Sequence, residues 1–308
     1  MRFNLINTAK GTFRCLFLLL LTTPAIFQQQ AIAQAIPQTI PQAATQPATS
    51  ATTPSAPEIT GGACPTDHYD ETVTVQSVHD GDTVRLKDGR KIRLIGINTP
   101  ELADNHHPVQ PFAIAARDRL LQQINQHNNT VKLLYGKERQ DHYKRTLAHL
   151  FLPDGTNLQA DLLEHGLATA NTHPPNDSFS DCYHRVEKIA RCKKSRIWSE
   201  DSYTVRHSAD LDEKSEGFHI LSARVRRISK SDKATHLFLD GGVLVSINTP
   251  DQHHFEETWL RSLVNRPVIV RGWLHAKHRA KKEVKFYMRI RHPSAIDFPV
   301  ENNKKHKC

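Results

Sequence analysis

Long hydrophobic runs and closely spaced cysteines are both scarce in this sequence of 308 residues. Hydrophobic residues make up 38% of the chain, and the one long apolar run lies at the N-terminus, which excludes a polytopic membrane protein. No two of the five cysteines have the CxxC spacing of a zinc site. Charged residues make up 24%, as is usual in globular proteins, so the chain as a whole is not disordered. Its length allows about two domains.

The apolar run, residues 15–26, has the layout of a secretory signal peptide. Three basic residues precede it, and a small-x-small pattern that ends at Ala33 follows it, so we expect cleavage after Ala33 and export to the periplasm or the medium. A short membrane anchor is the alternative, but a run of about 12 residues is shorter than the roughly 20 that a spanning helix needs. Residues 34–63 are rich in Gln, Pro, Ala and Thr and are predicted to be a linker.

Four cysteines remain after that cleavage, and an even number in an exported protein indicates disulfides. Cys182 and Cys192 lie in a stretch with helical periodicity, where they would be separated by about 15 Å along the axis and could not bond each other. We therefore expect Cys64 to bond one of them. Cys308 is then either free or bonded to the remaining thiol.

The positive charge is unevenly distributed along the chain. There are 41 Lys and Arg against 32 Asp and Glu, a net charge of +9. Residues 65–216 contain 20 basic and 23 acidic side chains, whereas residues 217–308 contain 18 and 8. The basic character therefore belongs to the C-terminal third. It suggests a polyanionic partner without choosing between nucleic acid, an acidic surface and mere solubility.

Alternating apolar and polar residues predict a β-rich α+β protein. Turns at Asp80-Gly81 and Asp88-Gly89 separate three strands, and a helix and two further strands follow. This is the order of a five-stranded OB-fold barrel with packed helices, and the same strand order returns in the C-terminal third. The predicted domains are an OB barrel at 64–204, a linker at 205–216, a basic OB-like barrel at 217–298 and a basic tail at 299–308.

Three polar clusters interrupt the first barrel pattern, at residues 79–83, 93–101 and 139–145. Each has an ordinary structural explanation. Asp-Gly is a common hairpin turn, Asn-Thr-Pro is a common strand exit, and a lone arginine in a strand usually faces solvent.

Taken together, the clusters have the composition of a phosphodiesterase site. A hard cation such as Ca²⁺ prefers oxygen ligands, which Asp82, the Asn98 amide and a carbonyl near Thr99 supply. Paired guanidinium groups fit the non-bridging oxygens of a phosphodiester transition state, and a nearby glutamate, Glu101, can orient or deprotonate water.

Four strings give this pattern a specific resemblance: Asp80-Gly81-Asp82-Thr83, Ile92 to Glu101, Asp141-His142-Tyr143-Lys144-Arg145 and Ile197-Trp198-Ser199. They resemble the staphylococcal nuclease family over about residues 68–201. The resemblance implies an OB-fold enzyme that uses Ca²⁺ to hydrolyse DNA and RNA. It implies these roles: Asp82 and Asn98 as metal ligands, Arg93 and Arg145 for transition-state charge, Glu101 for water, and Tyr143 near the scissile phosphate. Thr99 is a further candidate metal ligand, and His142 and Lys144, beside Tyr143, are further candidates for contact with the substrate.

Three positions depart from the family pattern. Asn98 stands where the family has Asp, which keeps one ligand oxygen but removes a negative charge, so weaker metal binding is expected. Lys144 stands where the family often has Gly, so the loop that carries Arg145 is expected to shift. The segment 169–175 lacks the tyrosines that the enzyme naming the family presents to the base.

The C-terminal third contains an echo of the first site. Residues 247–251 repeat the string at 97–101 with a spacing of 150, but Val243 replaces the arginine and no Asp-Gly-Asp turn precedes it. We therefore expect a barrel without the catalytic set. It also resembles, more weakly, the OB-type extensions of some proteobacterial thermonucleases, through residues 270–274 and 288–293.

The charge of this second barrel suggests that it binds nucleic acid, with a solvated hairpin as the alternative. Trp273, Phe286 and Tyr287 are candidates to stack on bases, although Trp273, in an otherwise apolar strand, is expected in the core rather than in a stacking platform. The basic candidates for contact with the polyanion are Arg224, Arg226, Lys281 and Lys282.

The sequence thus predicts an exported, monomeric, Ca²⁺-dependent nuclease of DNA and RNA without a membrane span after cleavage of the leader. The alternative is an exported binding protein that keeps the fold but has lost turnover through Asn98. A third reading, binding to anionic envelope surfaces, rests on charge alone.

Overall fold

A computed structural model describes residues 63–105, 107–277 and 283–299. The predicted signal peptide, most of the predicted N-terminal linker, Lys281, Lys282 and Cys308 lie outside these ranges. None of the helices within them is long and apolar enough to cross a membrane.

Five strands close the first barrel in the order β1-β2-β3-β6-β5. The pairing is antiparallel except between β3 and β6, and β1 pairs with β5 to close the ring. Short strands β4 and β7 pair with each other beside the barrel. The elements are β1 (Glu71–Val78), β2 (Thr83–Leu86), β3 (Lys91–Leu94), β4 (Ile97–Asn98), α1 (Ala113–Gln126), β5 (Thr130–Gln140), β6 (Thr146–Phe151), α2 (Leu158–Glu164), β7 (Thr169–Ala170) and α3 (Ser180–Cys192).

The alternation of the sequence explains this barrel. Val84 and Leu86 on β2, and Ile92 and Leu94 on β3, are spaced by two and point into one core. Helix α1 adds a buried stripe at helical spacing, formed by Ala113, Ala116, Leu120 and Ile124. The predicted OB-fold is thereby confirmed.

A disulfide joins Cys64 to Cys182 and ties the start of the described chain to α3. Cys182 and Cys192 both lie on α3, as their helical spacing predicted. The helix ends at Cys192, and the rest of the predicted helical stretch forms a separate 3-10 turn at Arg196–Ser199.

The second barrel also has five strands, in the order β9-β10-β11-β13-β12, and β12 pairs with β9 to close it. Strand β14 extends the sheet beside β12, and β8 extends it beside β9. Because β8 lies within 205–216, the prediction of a plain linker there was wrong. The elements are β8 (Val205–His207), β9 (Gly217–Lys230), β10 (Ala234–Leu239), β11 (Val243–Asn248), α4 (Glu257–Ser262), β12 (Pro267–Ala276), β13 (Phe286–Arg289) and β14 (Ile296–Asp297).

The two barrels share buried surface. Ile197 and Trp198, which follow α3, form one apolar cluster with Ile220 of the second barrel. Beside it, Arg271 Nη1 donates to Glu187 Oε2 at 2.5 Å, and the two side chains are only 8% and 1% exposed. A buried ion pair of this kind is costly to break, since removal of one partner leaves the other charge buried alone.

Two aromatic side chains of the second barrel differ from expectation. Trp273 is 56% exposed rather than part of the core. Val268, Val270 and Leu274 of β12 face the core with unbroken alternation, so Trp273 falls on the opposite face, where Arg271 is buried against the first barrel. Phe286 is buried, so it is not a stacking platform, whereas Tyr287 is partly exposed and has Lys277 above its ring.

Two buried histidines predict that the protein loses stability in mild acid. Burial lowers the pKa of His149 to about 3, and burial together with repulsion from Arg271 lowers the pKa of His184 to about 3. The unfolded chain binds a proton at each near pH 6.5, about the ordinary value. The free energy of unfolding should therefore fall as the pH drops from about 6.5 toward 3, by about 1.4 kcal/mol per pH unit for each histidine.

Urea unfolding at pH 7.5, 6 and 5 measures this slope. His149→Gln should remove about 1.4 kcal/mol per pH unit of the loss below pH 6.5, because glutamine does not titrate. The exposed His142→Gln is the matched control and should leave the slope as it is. An identical slope in His149→Gln and the parent protein would contradict the assignment.

Candidate active site

Asp82 is a buried carboxylate at the start of β2, and it is 4% exposed. Its Oδ2 accepts from the Thr99 amide at 3.0 Å and from the Thr99 hydroxyl at 3.1 Å, and its Oδ1 accepts from the Thr83 hydroxyl at 3.2 Å. Burial raises the pKa of Asp82, whereas the Arg93 charge and the Thr99 donors favour the ionised form. The turn at residues 79–83 thus holds a carboxylate against the strand exit at 98–101, as predicted.

Arg93 of β3 lies directly against this carboxylate. Its Nη1 is 3.1 Å from Asp82 Oδ2 and donates to the Leu94 carbonyl at 2.6 Å. Its Nη2 donates to the Ile97 carbonyl at 3.1 Å and to Asn98 Oδ1 at 3.2 Å. These contacts fix the guanidinium at the end of the barrel, where β3 leads into β4.

The residues around Asp82 offer oxygen atoms, the type of ligand that a hard divalent cation prefers. Asp82 contributes a carboxylate, Asn98 an amide oxygen and Thr99 a main-chain carbonyl, and hydrogen bonds already connect all three. These are the oxygen ligands that Ca²⁺ takes in proteins. Within the described residues, no group of three or more His, Cys, Asp or Glu side chains is arranged to hold a metal ion. A site here therefore depends on the amide and the carbonyl.

Glu101 is an exposed residue whose carboxyl group interacts electrostatically with the other charged groups of the site. Partial burial of its carboxyl group, followed by repulsion from Asp82 and Asp80, raises the pKa of Glu101, and the positive charges of Arg93 and Arg145 oppose this shift. A carboxylate with a raised pKa is a better proton acceptor, which suits a general base.

Arg145 is positioned by a compact loop before β6. Asp141 Oδ1 accepts from the amides of Tyr143 and Arg145, and its Oδ2 accepts from Arg145 Nε at 2.7 Å. Burial alone would raise the pKa of Asp141, but the hydrogen bonds from Arg145 outweigh it and lower the pKa. The Arg145 guanidinium is 5.4 Å from the ring centre of Tyr143, on which His142 stacks. Tyr143 is 69% exposed and available to a substrate.

Two cavities meet at Arg145. One contains Glu101, Asp80 and Arg145. The other contains Arg93, Arg145 and His142. The structure therefore brings the two arginines, the glutamate and the carboxylate of Asp82 to one end of the first barrel, and their roles stay predictions.

A side chain of the second barrel also reaches this place. Arg291 lines the cavity that contains Arg93 and Arg145. Its Nε donates to Asp251 Oδ1 at 3.1 Å, its Nη1 is 3.3 Å from His173 Nδ1, and its Nη2 donates to the Pro174 carbonyl at 3.1 Å. The sequence reasoning did not select Arg291.

The repeated string at residues 247–251 contains an indication of the role of Arg291. Asp251 occupies in residues 247–251 the place that Glu101 has in residues 97–101. It is buried, and besides Arg291 it accepts from Arg289 Nη2 at 2.6 Å. The echoed acid thus positions two arginines, one of which enters the first barrel's cavity.

The other predicted basic contacts lie elsewhere. Arg224 and Arg226 are exposed on β9, and neither lines the cavities around Arg93 and Arg145. Arg224 donates to the Asn265 carbonyl at 2.5 Å. Their contact with nucleic acid stays a prediction.

In a comparison with known protein families, residues 91–200 match the family described as staphylococcal nuclease homologue. The chain is 38% identical over 136 residues to a thermonuclease of Staphylococcus intermedius, covering 43% of this chain and 79% of the relative. It is 36% identical over 134 residues to a thermonuclease of Staphylococcus hyicus, covering 42% and 77%. It is 33% identical over 136 residues to endonuclease YncB of Bacillus subtilis, covering 42% and 63%.

The loop around Lys144 gives a test of local conformation. Lys144 has a φ of 64°, the left-handed region that favours glycine, so its backbone adopts the conformation that glycine would adopt. We expect Lys144→Gly to keep the unfolding free energy within about 1 kcal/mol of the parent or raise it, because relief of backbone strain offsets the added flexibility.

The β-branched control Lys144→Val should lower the unfolding free energy by about 1–2 kcal/mol, because its side chain crowds the backbone at positive φ. Denaturant unfolding of both variants measures the difference. Equal stability of the glycine and valine variants would show that this loop does not hold residue 144 in the left-handed region.

Proposed function

The chain belongs to the staphylococcal nuclease homologue family, and on that basis we propose that it is a Ca²⁺-dependent nuclease that hydrolyses phosphodiester bonds of DNA and RNA. The observation that carries this proposal is the convergence of Asp82, Arg93, Glu101 and Arg145 at one end of the first barrel. The thermonuclease and endonuclease names of its relatives agree with such a hydrolase.

The two arginines would bind and stabilise the reacting phosphate. They line one cavity from β3 and from the loop before β6, so a phosphate between them can accept hydrogen bonds from both. Guanidinium groups match phosphate oxygens in geometry, and fixed positive charge stabilises the negative charge that develops on those oxygens. Asp141 holds Arg145 through Nε, which orients its terminal nitrogens before the substrate arrives.

Glu101 would accept the proton of the attacking water. The water oxygen forms a bond to phosphorus, the bond from phosphorus to the leaving oxygen breaks, the water proton passes to the Glu101 carboxylate, and the leaving oxygen takes a proton from solvent. Glu101 shares a cavity with Arg145, so base and phosphate ligand face the same space.

Asp82, the Asn98 amide and the Thr99 carbonyl would hold Ca²⁺. When bound, Ca²⁺ would supply positive charge beside the non-bridging oxygens of the scissile phosphate. The guanidinium of Arg93, which now pairs with Asp82, would then be available to the substrate.

Export and a supporting role of the second barrel complete the proposal. The N-terminal signal pattern and the Cys64–Cys182 disulfide support an oxidising, extracytoplasmic location. The excess of basic residues at 217–308 supports a second barrel that assists nucleic-acid binding.

A second candidate is a binding protein without turnover, and Asn98 favours it. The Asn98 amide oxygen accepts from Arg93 and carries no charge of its own, so Asp82 is the one ionised group among the three proposed ligands. Such a protein would retain nucleic acid in a salt-sensitive manner without cleaving it.

Cleavage assays with Glu101→Gln and Arg145→Ala separate the two candidates. Each change should lower the rate of cleavage of single-stranded DNA in Ca²⁺ by about 10²-fold or more, because one removes the proton acceptor and the other a transition-state charge. Glu164→Gln, an exposed carboxylate at the end of α2 that lines neither cavity, is the control and should cleave at the parental rate. Binding without cleavage by the parent protein at any Ca²⁺ concentration would favour the second candidate.

Asn98→Asp tests the metal ligands. The added negative charge should lower the Ca²⁺ concentration for half-maximal cleavage by about tenfold or more, since each 1.4 kcal/mol of binding energy is a factor of ten. Asn105→Asp adds the same charge at an exposed position that lines none of the cavities described, so it controls for general electrostatics. A shift of equal size in both variants would contradict the assignment of residue 98 as a ligand.

A further inference from the structure

A groove between the barrels continues from the candidate active site. The cavity of about 460 Å³ that contains Arg93 and Arg145 has Asn171, His173 and Arg291 on its wall. The same three residues line a neighbouring cavity of about 420 Å³ between the barrels. The two cavities therefore adjoin at these residues, with Arg291 on the wall of both, and we call them together the groove.

The far end of this groove carries an aromatic platform. Trp273 of β12 lines it and is 56% exposed. Its partner across the sheet is Phe218 of β9, which lines the same cavity. The Phe218 ring packs in turn against Tyr203, with ring centres 5.8 Å apart. Trp273 thus lies beside a packed aromatic pair on the cavity wall, with more than half of its surface exposed.

The charge of the groove suits a polyanion. Arg271, Arg289 and Arg291 line its inter-barrel part, and none of the described residues on that wall is an aspartate or glutamate. The carboxylates that orient these arginines, Glu187 and Asp251, are buried behind them. Positive groups and an exposed aromatic ring in one groove are the two elements with which proteins bind single-stranded nucleic acid.

We propose that this groove, from Arg93 and Arg145 past Arg291 to Trp273, binds the single strand that flanks the scissile phosphate. Arg291 contacts a backbone phosphate and Trp273 stacks on a base. The second barrel thereby supplies the stacking surface that segment 169–175 of the first barrel lacks. The inference rests on the proposed nuclease function, but it concerns binding and can be tested without cleavage.

The test measures binding of a fluorescein-labelled eight-residue oligothymidylate to Glu101→Gln protein in EDTA, by fluorescence anisotropy. Adding Trp273→Ala should raise the dissociation constant at least about tenfold, since one base loses its stacking partner. Adding Arg291→Ala should also raise the dissociation constant. It should lower the slope of log Kd against log salt concentration by about one, because one phosphate contact is lost. Phe298→Ala removes an exposed aromatic that lines none of the groove and should have no effect.

Tryptophan emission gives a direct readout of stacking. Unlabelled oligothymidylate should quench the emission of the Glu101→Gln protein, and Trp273→Phe should abolish most of the quenching, because Trp198 is buried and Trp259 lies outside the groove. Thermal unfolding of each variant verifies that it is folded. Arg291→Lys, which keeps the charge but loses the fork of donors, should bind with an intermediate affinity.

Each outcome decides the proposal. Quenching of the Glu101→Gln protein that is lost in Trp273→Phe, together with weaker binding by the Trp273→Ala and Arg291→Ala variants, supports it, even if the parent protein shows no cleavage and the nuclease function fails. Parental affinity in folded Trp273→Ala and Arg291→Ala proteins overturns it while an active parent keeps the nuclease function. Self-association abolished by Trp273→Ala in gel filtration, with unchanged oligonucleotide binding, also overturns it and assigns the platform to a second copy of the chain.

Discussion

The buried carboxylate of Glu187 connects every part of this structure that matters for the site. It lies on α3 and is 1% exposed as a side chain. Its Oε1 accepts from the Ala170 amide at 2.9 Å, and its Oε2 accepts from Arg271 of the second barrel. Ala170 belongs to β7, whose partner strand β4 carries Asn98. One carboxylate therefore holds the strand behind the proposed metal ligand and the barrel that completes the groove. Loss of the Glu187 carboxylate would leave the buried Arg271 charge without its ion-pair partner, at a cost of about 3–5 kcal/mol.

This connection changes how the positive charge of the C-terminal third is understood. The charge partition alone suggests a separate basic module, attached by a linker, that retains nucleic acid independently of cleavage. The structure has no such independence in its described part, since Ile197 and Trp198 share an apolar cluster with Ile220 and β8 extends the second sheet. Removing the second barrel would expose that cluster and leave Glu187 without Arg271. Single substitutions in the groove therefore report on binding more cleanly than truncation does.

The first barrel and its polar site were predictable because their signals are local. Period-two alternation specifies inward and outward residues of a strand, and turn residues such as Asp80-Gly81 specify where strands end. Since β2, β3 and the loop before β6 meet at one end of the barrel, motifs that are distant in sequence become neighbours. Lys144 shows the limit of motif reasoning. A lysine in place of glycine suggested a shifted loop, but its φ of 64° is one that glycine also favours.

The groove was not predictable, because its signals are non-local. Trp273 stands in an apolar strand and was expected in the core, but the alternation of β12 places it on the same outer face as Arg271. That face meets the first barrel through Arg271, which donates to Glu187, a residue 84 positions away in sequence. The position of Arg291 depends likewise on Asp251. The repeated string at 247–251 identified Asp251 as the counterpart of Glu101, but the repeat alone did not indicate its role. The same structural position holds an acid in both barrels, but its environment differs. Glu101 is open to a cavity with Arg145 and suits proton transfer, whereas Asp251 is buried between two arginines and suits positioning. The two acids of the repeated string therefore differ in function because they differ in burial and in hydrogen-bond partners, not because they differ in chemical type.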